Sequence, residues 1–364
     1  MHPGISCFSG ALRANMIIAW SIITDLKGPA MKELHRPIRI GPLELRNRVV
    51  MPPIATYRST EDGKATDELL AYYGALANNS RIGLIITEHS YVTLQGKAKA
   101  RQLSIASDDD VDGLRKLTET IHSNGTKAFA QLNHAGSAAM PESSGMPAVA
   151  PSAVPLPVTP PLGRDTLPQE LTVPEIRAIV LDFANAAARA KSAGYDGVEI
   201  HSAHGYLLNQ FYSPLTNHRT DDYGGTLDNR LRFLLETVQT VREAVGNRYP
   251  ISVRLGGCDY MHGGSTIQDS VRAAVLLQDA GIDLLSVTGG MCRYTRAAHN
   301  EAGYFRDMSG EIKRNVTIPV LLTGGVKTVD EAEALLLEQA ADLIGIGRAI
   351  MKNADWPIET EKQI

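Results

Sequence analysis

The sequence has 364 residues, of which 43% are hydrophobic and 21% charged, and its formal net charge is −4. These proportions are typical of a soluble globular protein, and the slightly acidic balance offers no basic stripe for nucleic acid. The three cysteines, Cys7, Cys258 and Cys292, lie far apart and form no CxxC pair. They predict neither a disulfide framework nor an iron–sulfur cluster, and they favour a reducing cytoplasm.

The first thirty residues differ in character from the rest. Their apolar run, Met16–Ile23, is far shorter than the roughly 20 residues that a membrane span requires. Only Arg13 flanks it before the run, and no convincing cleavage site of small residues follows. We therefore expect residues 1–30 to be a leader that the fold does not need, and residues 31–364 to form one domain.

After a short predicted hairpin at Pro37–Leu45, apolar runs alternate with helical patterns. The predicted strands are Val49–Ile54, Gly83–Val92, Ala128–Leu132, Gly197–Ile200, Ile251–Leu255, Leu284–Val287, Val320–Leu322 and Leu343–Ile346. The predicted helices are Asp67–Ala77, Asp110–His122, Val173–Ala193, Leu227–Val245, Ile267–Asp279, Val329–Gln339 and a shorter one at Glu311–Arg314. Strands that are apolar throughout predict a parallel sheet covered by helices, and eight of them predict a closed (β/α)8 TIM barrel.

The longest insertion follows the third predicted strand. It runs from Ser137 to Leu171 and is rich in Pro, Ser and Ala. Loops of this length in a compact domain are usually functional or mobile. We interpret the insertion as a lid over the mouth of the barrel.

Catalytic side chains of such barrels lie at the C-terminal ends of the strands. The most polar of these ends follows the fourth predicted strand, where His201, His204 and Tyr206 fall within six residues. These side chains can hold a small substrate through its oxygen and pass it a proton. A zinc site is the alternative, but it needs a third ligand. We expect Glu199 to point to the opposite face of the strand from His201.

Glycine-rich turns follow the seventh and eighth predicted strands, as TGG at 323–325 and GIGR at 345–348. Backbone N–H groups in such turns, together with Arg348, predict a cradle for a phosphate group. The alternative is that these glycines only permit tight turns. No GxGxxG motif follows a strand, so a doubly wound dinucleotide fold is not predicted.

Six segments between about residues 34 and 351 form one ordered pattern. They are RNRVVMPPIATY, GLIITEHSYV, QLNHAG, HSAHGYLLNQFYSPLTNHRTDDYGG, SVRLGGCDY and LIGIGRAI. Together they resemble the old yellow enzyme family of FMN-dependent ene-reductases. The resemblance is greatest to the bacterial short ene-reductases and to the barrel domains of 2,4-dienoyl-CoA and 2-enoate reductases.

This resemblance implies an FMN site at the mouth of the barrel. The FMN phosphate is expected on Gly325, Gly347 and Arg348, with Gly290 nearby. The residues expected along the flavin ring and its edges are Pro52, Pro53, Ile54, Ala55, His89, Gln131 and Arg254. Of these, Gln131 is expected to bond the pyrimidine edge, and Arg254 to face N1 and the C2 carbonyl. A cation there stabilises the negative charge of the reduced flavin.

The resemblance also implies the roles of the polar cluster. His201 and His204 are expected to bond the carbonyl oxygen of an α,β-unsaturated substrate, and Tyr206 to protonate its Cα. Tyr57 is expected to form a polar wall of the substrate pocket. Hydride is expected to pass from flavin N5 to Cβ, after NADH or NADPH has reduced the flavin in the same pocket.

Three positions differ from the usual family pattern. Ala55 stands where relatives usually have Cys or Thr near the flavin C4 oxygen, so we expect an altered reduction potential. His89 replaces a small Ala or Gly after the second strand and is expected to crowd or charge the flavin edge. Ser137 stands where many relatives have Arg.

Other functions remain open at this point. The protein could reduce bulky enoyl-CoA, dienoyl-CoA or steroid-like enones, with the insertion admitting the substrate. From other classes, it could be a flavin-free barrel that binds a sugar phosphate, or a flavin-binding protein without catalysis. The expected partner is a small molecule rather than nucleic acid or membrane, and a homo-oligomer is left open.

Overall fold

The computed structural model describes residues 1, 32–78, 81–158 and 167–356. The barrel lies within the unit Glu33–Ile364. The predicted leader, apart from Met1, lies outside the described residues, as do residues 159–166 of the insertion. In the described part of the chain, no helix is both long and apolar enough to cross a membrane.

Eight parallel strands form a closed ring, which confirms the predicted (β/α)8 barrel. They are β1 (Val49–Met51), β2 (Leu84–Ile86), β3 (Lys127–Asn133), β4 (Gly197–Ser202), β5 (Ile251–Cys258), β6 (Leu284–Gly289), β7 (Val320–Thr323) and β8 (Leu343–Gly345). The ring closes because β1 pairs with strands on both sides, Val50 opposite Leu84 and Val49 opposite Ile344.

A helix follows each strand. These helices are α1 (Asp67–Ala77), α2 (Val111–His122), α3 (Val173–Ser192), α4 (Leu227–Val245), α5 (Ile267–Asp279), α6 (Arg306–Lys313), α7 (Val329–Leu337) and α8 (Arg348–Lys352). Capping boxes form at Thr172 with Glu175 and at Thr328 with Glu331, where each pair satisfies backbone N–H groups of the first turn.

Helix α6 begins five residues before the predicted start at Glu311. Ser309 and Gly310 are poor helix formers, so the local pattern did not indicate a helix there. Met308 is fully buried and packs into the core between barrel and helices, and this tertiary contact offsets the weak propensity.

Several short elements complete the described fold. The predicted hairpin is present as Ile38–Ile40 paired with Leu43–Leu45. Two-residue strands lie at Ser90–Tyr91, Val149–Ala150 and Gln169–Glu170, and short α-helices at Pro141–Ser144 and Leu207–Tyr212. Single 3₁₀ turns occur at Glu33–His35, Leu94–Gly96, Asp108–Asp110 and Gly136–Ala138.

The interior of the barrel has an apolar floor and a polar upper layer. Ile40 and Leu45 of the hairpin pack against inward-facing residues such as Val50, Phe129 and Leu284, and so cover the N-terminal end. Further along the strands the inward side chains become polar, as at Gln131, Glu199 and Arg254. The polar layer therefore lies toward the C-terminal ends, where a site was predicted.

The base of the long insertion is tied to the loop after β4 by Arg219. Val149–Ala150 pairs in parallel with Gln169–Glu170. The Arg219 guanidinium donates hydrogen bonds to the Pro151 carbonyl at 3.1 Å and the Leu171 carbonyl at 2.6 Å. It also forms an ion pair with Asp221, although the arginine is itself buried. One side chain thus joins Pro151, inside the insertion, and Leu171, its last residue, to the loop after β4.

We expect Arg219→Lys to destabilise the protein by about 2–4 kcal/mol, because an ammonium group cannot reproduce the planar fork that serves these acceptors. Equilibrium urea unfolding would measure the change. Arg232→Lys is the matched control, since Arg232 is exposed and donates to the Asp222 carbonyl and to Asn229. A loss as large in the control would contradict the role of Arg219.

Candidate active site

The turn after β4 brings His201, His204 and Tyr206 together. His204 has φ +61° and Gly205 has φ +74°, so the chain reverses through two left-handed residues. A Cβ on Gly205 would lie 2.4 Å from Cγ1 of Val158, so only glycine fits. The reversal places the ring of His201 5.1 Å from that of His204 and 5.0 Å from that of Tyr206, measured between centroids.

Two buried amides hold this turn. The Gly205 N–H donates to Oδ1 of Asn209 at 2.8 Å, and Nε2 of Gln210 donates to the Gly205 carbonyl at 2.7 Å. Both side chains are fully buried. Neither amide was predicted as a site residue; the available signal was a pair of adjacent amides inside the otherwise apolar segment LLNQFY.

The imidazoles of this cluster are neutral. Burial, followed by the neighbouring His204 and Arg254, lowers the pKa of His201 well below its usual value. Burial and the charge of Arg254 do the same to the pKa of His204. Nε2 of His204 lies 3.0 Å from Oγ1 of Thr288, while Nδ1 of His201 is buried without a hydrogen-bond partner among the described residues.

Tyr206 keeps its proton at neutral pH. Burial raises the pKa of Tyr206 to about 12, and the charge and hydrogen bond of Arg293 oppose that rise. Tyr206 can therefore donate its proton, and Arg293 lowers the free-energy cost of leaving a phenolate behind. Arg293 was not predicted as a site residue. The usable signal was a cation shortly after the end of the sixth strand, TGG at 288–290.

A buried polar layer lies just below this cluster. Nε2 of Gln131 donates to Oε1 of Glu199 at 2.8 Å, and Oγ of Ser252 donates to Oε2 of Glu199 at 3.2 Å. Arg254 is opposite His201 in the neighbouring strand, and its buried Nε has no partner among the described residues. Burial raises the pKa of Glu199, and the charge of Arg254 opposes that rise.

The expectation that Glu199 faces away from His201 was wrong. Glu199 bonds Gln131 and Ser252 in the barrel interior, into which His201 also points. The physical reason is simple: residues two apart on a strand lie on the same face.

His89 enters the same cavity from the end of β2. Its ring stacks on Tyr206 at 5.4 Å and lies 6.4 Å from the ring of His201. Burial, followed by the charge of Arg254, lowers the pKa of His89 to about 4. Tyr57, His204 and Tyr206 also line this cavity. The structure thus brings four predicted site residues to one wall.

The predicted phosphate cradle lies at the same end of the barrel. A Cβ on Gly325 would meet the Glu301 carbonyl oxygen at 2.5 Å. Nη2 of Arg348 donates to Oη of Tyr304 at 3.4 Å, and Tyr304 donates to the Tyr294 carbonyl at 2.6 Å. The Tyr294 ring lies 6.1 Å from that of His204. This chain of contacts connects the cradle to the imidazoles.

The loop expected along the flavin ring packs against the cradle. A Cβ on Gly347 would lie 2.9 Å from Cδ1 of Ile54 and 3.3 Å from Cγ of Pro52. Pro53 and Ala55 belong to the same segment and are half-buried. Gly290 instead approaches a carboxylate, since its Cβ would lie 2.2 Å from Oδ1 of Asp259. Among the described residues, no group of three or more His, Cys, Asp or Glu side chains could hold a metal ion.

A closed parallel barrel with neutral proton donors at the C-terminal ends of its strands is the arrangement expected of the flavin-dependent oxidoreductases that the sequence resembles. The chain belongs to the NADH:flavin oxidoreductase / NADH oxidase family, whose profile matches residues 33–364. It is similar to the NADH oxidase of Thermoanaerobacter brockii, with 42% identity over 325 residues. The match covers 88% of this chain and 49% of the relative, so the chain spans about half of that protein's length.

Solved structures lead to the same family. A complex of 2-naphthoyl-CoA reductase with 2-naphthoyl-CoA superposes with a TM-score of 0.84 at 26% identity, over 91% of this chain and 52% of the other. The old yellow enzyme homologue from Zymomonas mobilis gives a TM-score of 0.79 at 30% identity, over 91% and 93% of the two chains. The resemblance to old yellow enzyme is therefore confirmed.

The cofactors FMN and NADH or NADPH are confirmed with the family. The residues present fit a flavin: Arg254 offers a buried guanidinium with an unpartnered Nε, and His201 a buried unpartnered Nδ1. At Gly325 and Gly347 a side chain would collide with Glu301 and Ile54, so these two turns require glycine. The flavin-free barrel loses its support.

We expect His89, His134, His201 and His204 to stay neutral in the folded protein through the physiological pH range, because burial lowers the pKa of each. Nitrogen NMR of histidine-labelled protein would show no titration of these rings between about pH 6 and 8.

The lowered pKa values also make the protein less stable in acid. Below the usual histidine pKa of 6.5 these rings take up protons mainly in the unfolded chain. As the pH is lowered below this value, the free energy of unfolding should therefore decrease by up to ~1.4 kcal/mol per pH unit for each ring. A ring among these four that titrates near 6.5 in the folded protein would contradict the assignment.

Proposed function

We propose that this protein reduces the activated C=C bond of α,β-unsaturated carbonyl compounds at the expense of NADH or NADPH. One observation carries the proposal. At the mouth of the barrel, the ring centre of the neutral His201 lies 5.1 Å from that of the neutral His204 and 5.0 Å from that of the protonated Tyr206. Neutral donors can bond a carbonyl oxygen, and a protonated phenol can supply the proton that carbon needs.

The proposed FMN site uses the residues expected from the sequence. Gly325, Gly347 and Arg348 would hold the phosphate, with Gly290 nearby. The segment Pro52–Ala55 would border the isoalloxazine ring, which when bound supplies the hydride. Gln131 would bond the pyrimidine edge, and Arg254 would stabilise the negative charge that develops on reduction. His89 would border the ring as well.

The substrate is activated by His201 and His204, which donate hydrogen bonds to its carbonyl oxygen. These bonds strengthen as the oxygen gains negative charge, so they withdraw electrons from the C=C bond and make Cβ electrophilic. Tyr206 then transfers its proton to Cα. Tyr57, half exposed at the rim of the cavity, contributes a polar wall.

We expect Tyr206→Phe to slow the oxidation of reduced enzyme by cyclohexenone roughly 10²–10⁴-fold, the usual value of a positioned general acid. Anaerobic stopped-flow absorbance of the flavin would measure both half-reactions separately. Reduction by NADH or NADPH is the internal control and should change little. Equal losses in both half-reactions would contradict the proton-donor role.

Glu199 is proposed to orient Gln131 and to balance the charge of Arg254. Its carboxylate accepts the Gln131 amide at 2.8 Å, which fixes the amide and leaves its oxygen for the cofactor. Glu199→Gln keeps the size of the side chain but removes the negative charge. An uncompensated Arg254 stabilises reduced flavin more strongly, so we expect the midpoint potential to rise by about 30 mV or more, ~1.4 kcal/mol over two electrons.

Spectroelectrochemical titration of the purified holoenzyme would measure this potential. Glu243→Gln, at an exposed position on α4, removes the same charge away from the barrel interior. A potential that falls or stays constant in Glu199→Gln would mean that Glu199 does not compensate Arg254.

A second candidate is a reductase of aromatic or unsaturated acyl-CoA thioesters. The similarity to 2-naphthoyl-CoA reductase, with a TM-score of 0.84, favours it. Turnover of 2-naphthoyl-CoA and crotonyl-CoA against cyclohexenone, at equal flavin content, would separate the two candidates.

A further inference from the structure

His89 presents a hydrogen-bond donor to the cavity, because its other ring nitrogen is occupied as an acceptor. Nδ1 of His89 lies 3.0 Å from Nε2 of Gln102 and 3.2 Å from Nδ2 of Asn133. Amide nitrogens only donate. If both are oriented in this way, Nδ1 carries no proton.

The orientation of Gln102 is determined by two further contacts. Its Oε1 accepts the Ala98 N–H at 2.6 Å, and its Nε2 also donates to the His89 carbonyl at 3.0 Å. A flipped amide would lose both bonds. Nε2 of Gln102 therefore faces Nδ1 of His89, and the single proton of the neutral imidazole resides on Nε2.

The ring of His89 stands beside the proposed catalytic groups. It stacks on Tyr206 with 27° between the ring planes and meets His201 edge-on at 6.4 Å. His201 and His204 are already proposed to bind one carbonyl oxygen. The distance of 6.4 Å between the ring centres of His89 and His201 suits a four-carbon chain with oxygen at both ends.

The wall around His89 is cationic. Lys99 and Arg293 line the same cavity, and of its described lining residues none is acidic. Nζ of Lys99 lies 5.7 Å from the centre of the Tyr57 ring, and the charge of Arg293 lowers the pKa of Tyr206. The Nε of Arg293 is buried and has no hydrogen-bond partner among the described residues. Donors and positive charge without a carboxylate complement an anionic oxygen group.

We propose that His89 and Arg293 bind a carboxylate on the acceptor, so that the preferred substrates are 4-oxo-2-enoates, enones whose β carbon carries a carboxylate. This inference rests on the proposed C=C reduction and names its substrate class. The ketone oxygen lies on His201 and His204, and the carboxylate lies on His89 and Arg293.

The reaction balances without a further reagent. The π bond breaks, and a hydride from reduced flavin forms the new C–H bond at the carbon bearing the carboxylate. The proton of Tyr206 forms the C–H bond at the carbon next to the ketone. The product is a saturated 4-oxo acid, and NADH or NADPH restores the reduced flavin while water restores the tyrosine proton.

A matched substrate pair tests the proposal in the holoenzyme. 4-Oxopent-2-enoate and pent-3-en-2-one share the enone and differ only in carboxylate against methyl. We expect the wild-type protein to favour the carboxylate by 10-fold or more in kcat/KM, about the value of a hydrogen bond to a charged group. His89→Phe and Arg293→Gln should each reduce that ratio roughly 10-fold, whatever their effect on the absolute rates.

Arg272→Gln is the matched charge control. Arg272 is 53% exposed, pairs with Asp228 and lies on the helical outside of the barrel. The kcat/KM ratio of the two substrates in Arg272→Gln should equal that of the wild type. If Arg272→Gln lowers the ratio as much as Arg293→Gln, the effect comes from overall charge, and the proposal is overturned.

Two readouts do not depend on turnover. The dissociation constants of the unreactive 4-oxopentanoate and pentan-2-one, measured by titrating oxidised holoenzyme, should show the same preference and the same loss in His89→Phe. Nitrogen NMR should find the proton of His89 on Nε2. A proton on Nδ1, or a wild-type ratio near one, would overturn the carboxylate site.

The outcomes distinguish a failure of the carboxylate site from a failure of the proposed C=C reduction. If wild-type holoenzyme reduces pent-3-en-2-one and cyclohexenone without preferring the carboxylate, only the carboxylate site fails. If reduced holoenzyme is oxidised by none of these acceptors, the proposed C=C reduction fails as well.

Discussion

The strict alternation of side chains along parallel strands is the constraint on which the site depends. Because the eight strands close into a barrel, the side chain of every second residue points into the barrel interior. Toward the N-terminal end these residues are apolar and are sealed by the hairpin. Toward the other end they include Glu199, His201 and Arg254. Burial of a carboxylate and a guanidinium is costly, and their neighbouring positions offset that cost.

Burial also determines the protonation states of His201, His204 and Tyr206 at the mouth of the barrel. Desolvation lowers the pKa of the imidazoles and raises that of Tyr206, so the unliganded cluster consists of neutral donors. Such a cluster is suited to an oxygen that becomes negative during a reaction, because its donors are already in place and need not reorganise. Arg293 adds a positive charge whose effect on the pKa of Tyr206 opposes that of burial.

Local patterns were sufficient for most of the fold. Helices at Asp67–Ala77, Leu227–Val245 and Ile267–Asp279 begin and end where periodicity and caps predicted. All eight strands were found because buried parallel strands are apolar along their whole length. The start of α6 was missed because the buried Met308, rather than intrinsic propensity, stabilises its first turn.

The candidate site was predictable where chemistry and motif coincide, as at His201, His204 and Tyr206. Arg293, Asn209 and Gln210 were missed because their roles arise from contacts across the fold, which no local pattern records. The orientation of Glu199 was wrong because the two-residue period was misapplied. The cofactor contacts of Gln131, Arg254 and the glycine turns remain predictions.

The parallel pair formed by Val149–Ala150 and Gln169–Glu170 has an evolutionary consequence. Because residues 149–150 pair with 169–170, the free-energy cost of lengthening the chain between them grows only with the logarithm of its length. Insertions and deletions between these anchors leave the barrel register untouched. Lineages can thus diversify in this stretch of chain without altering the side chains at the ends of the barrel strands.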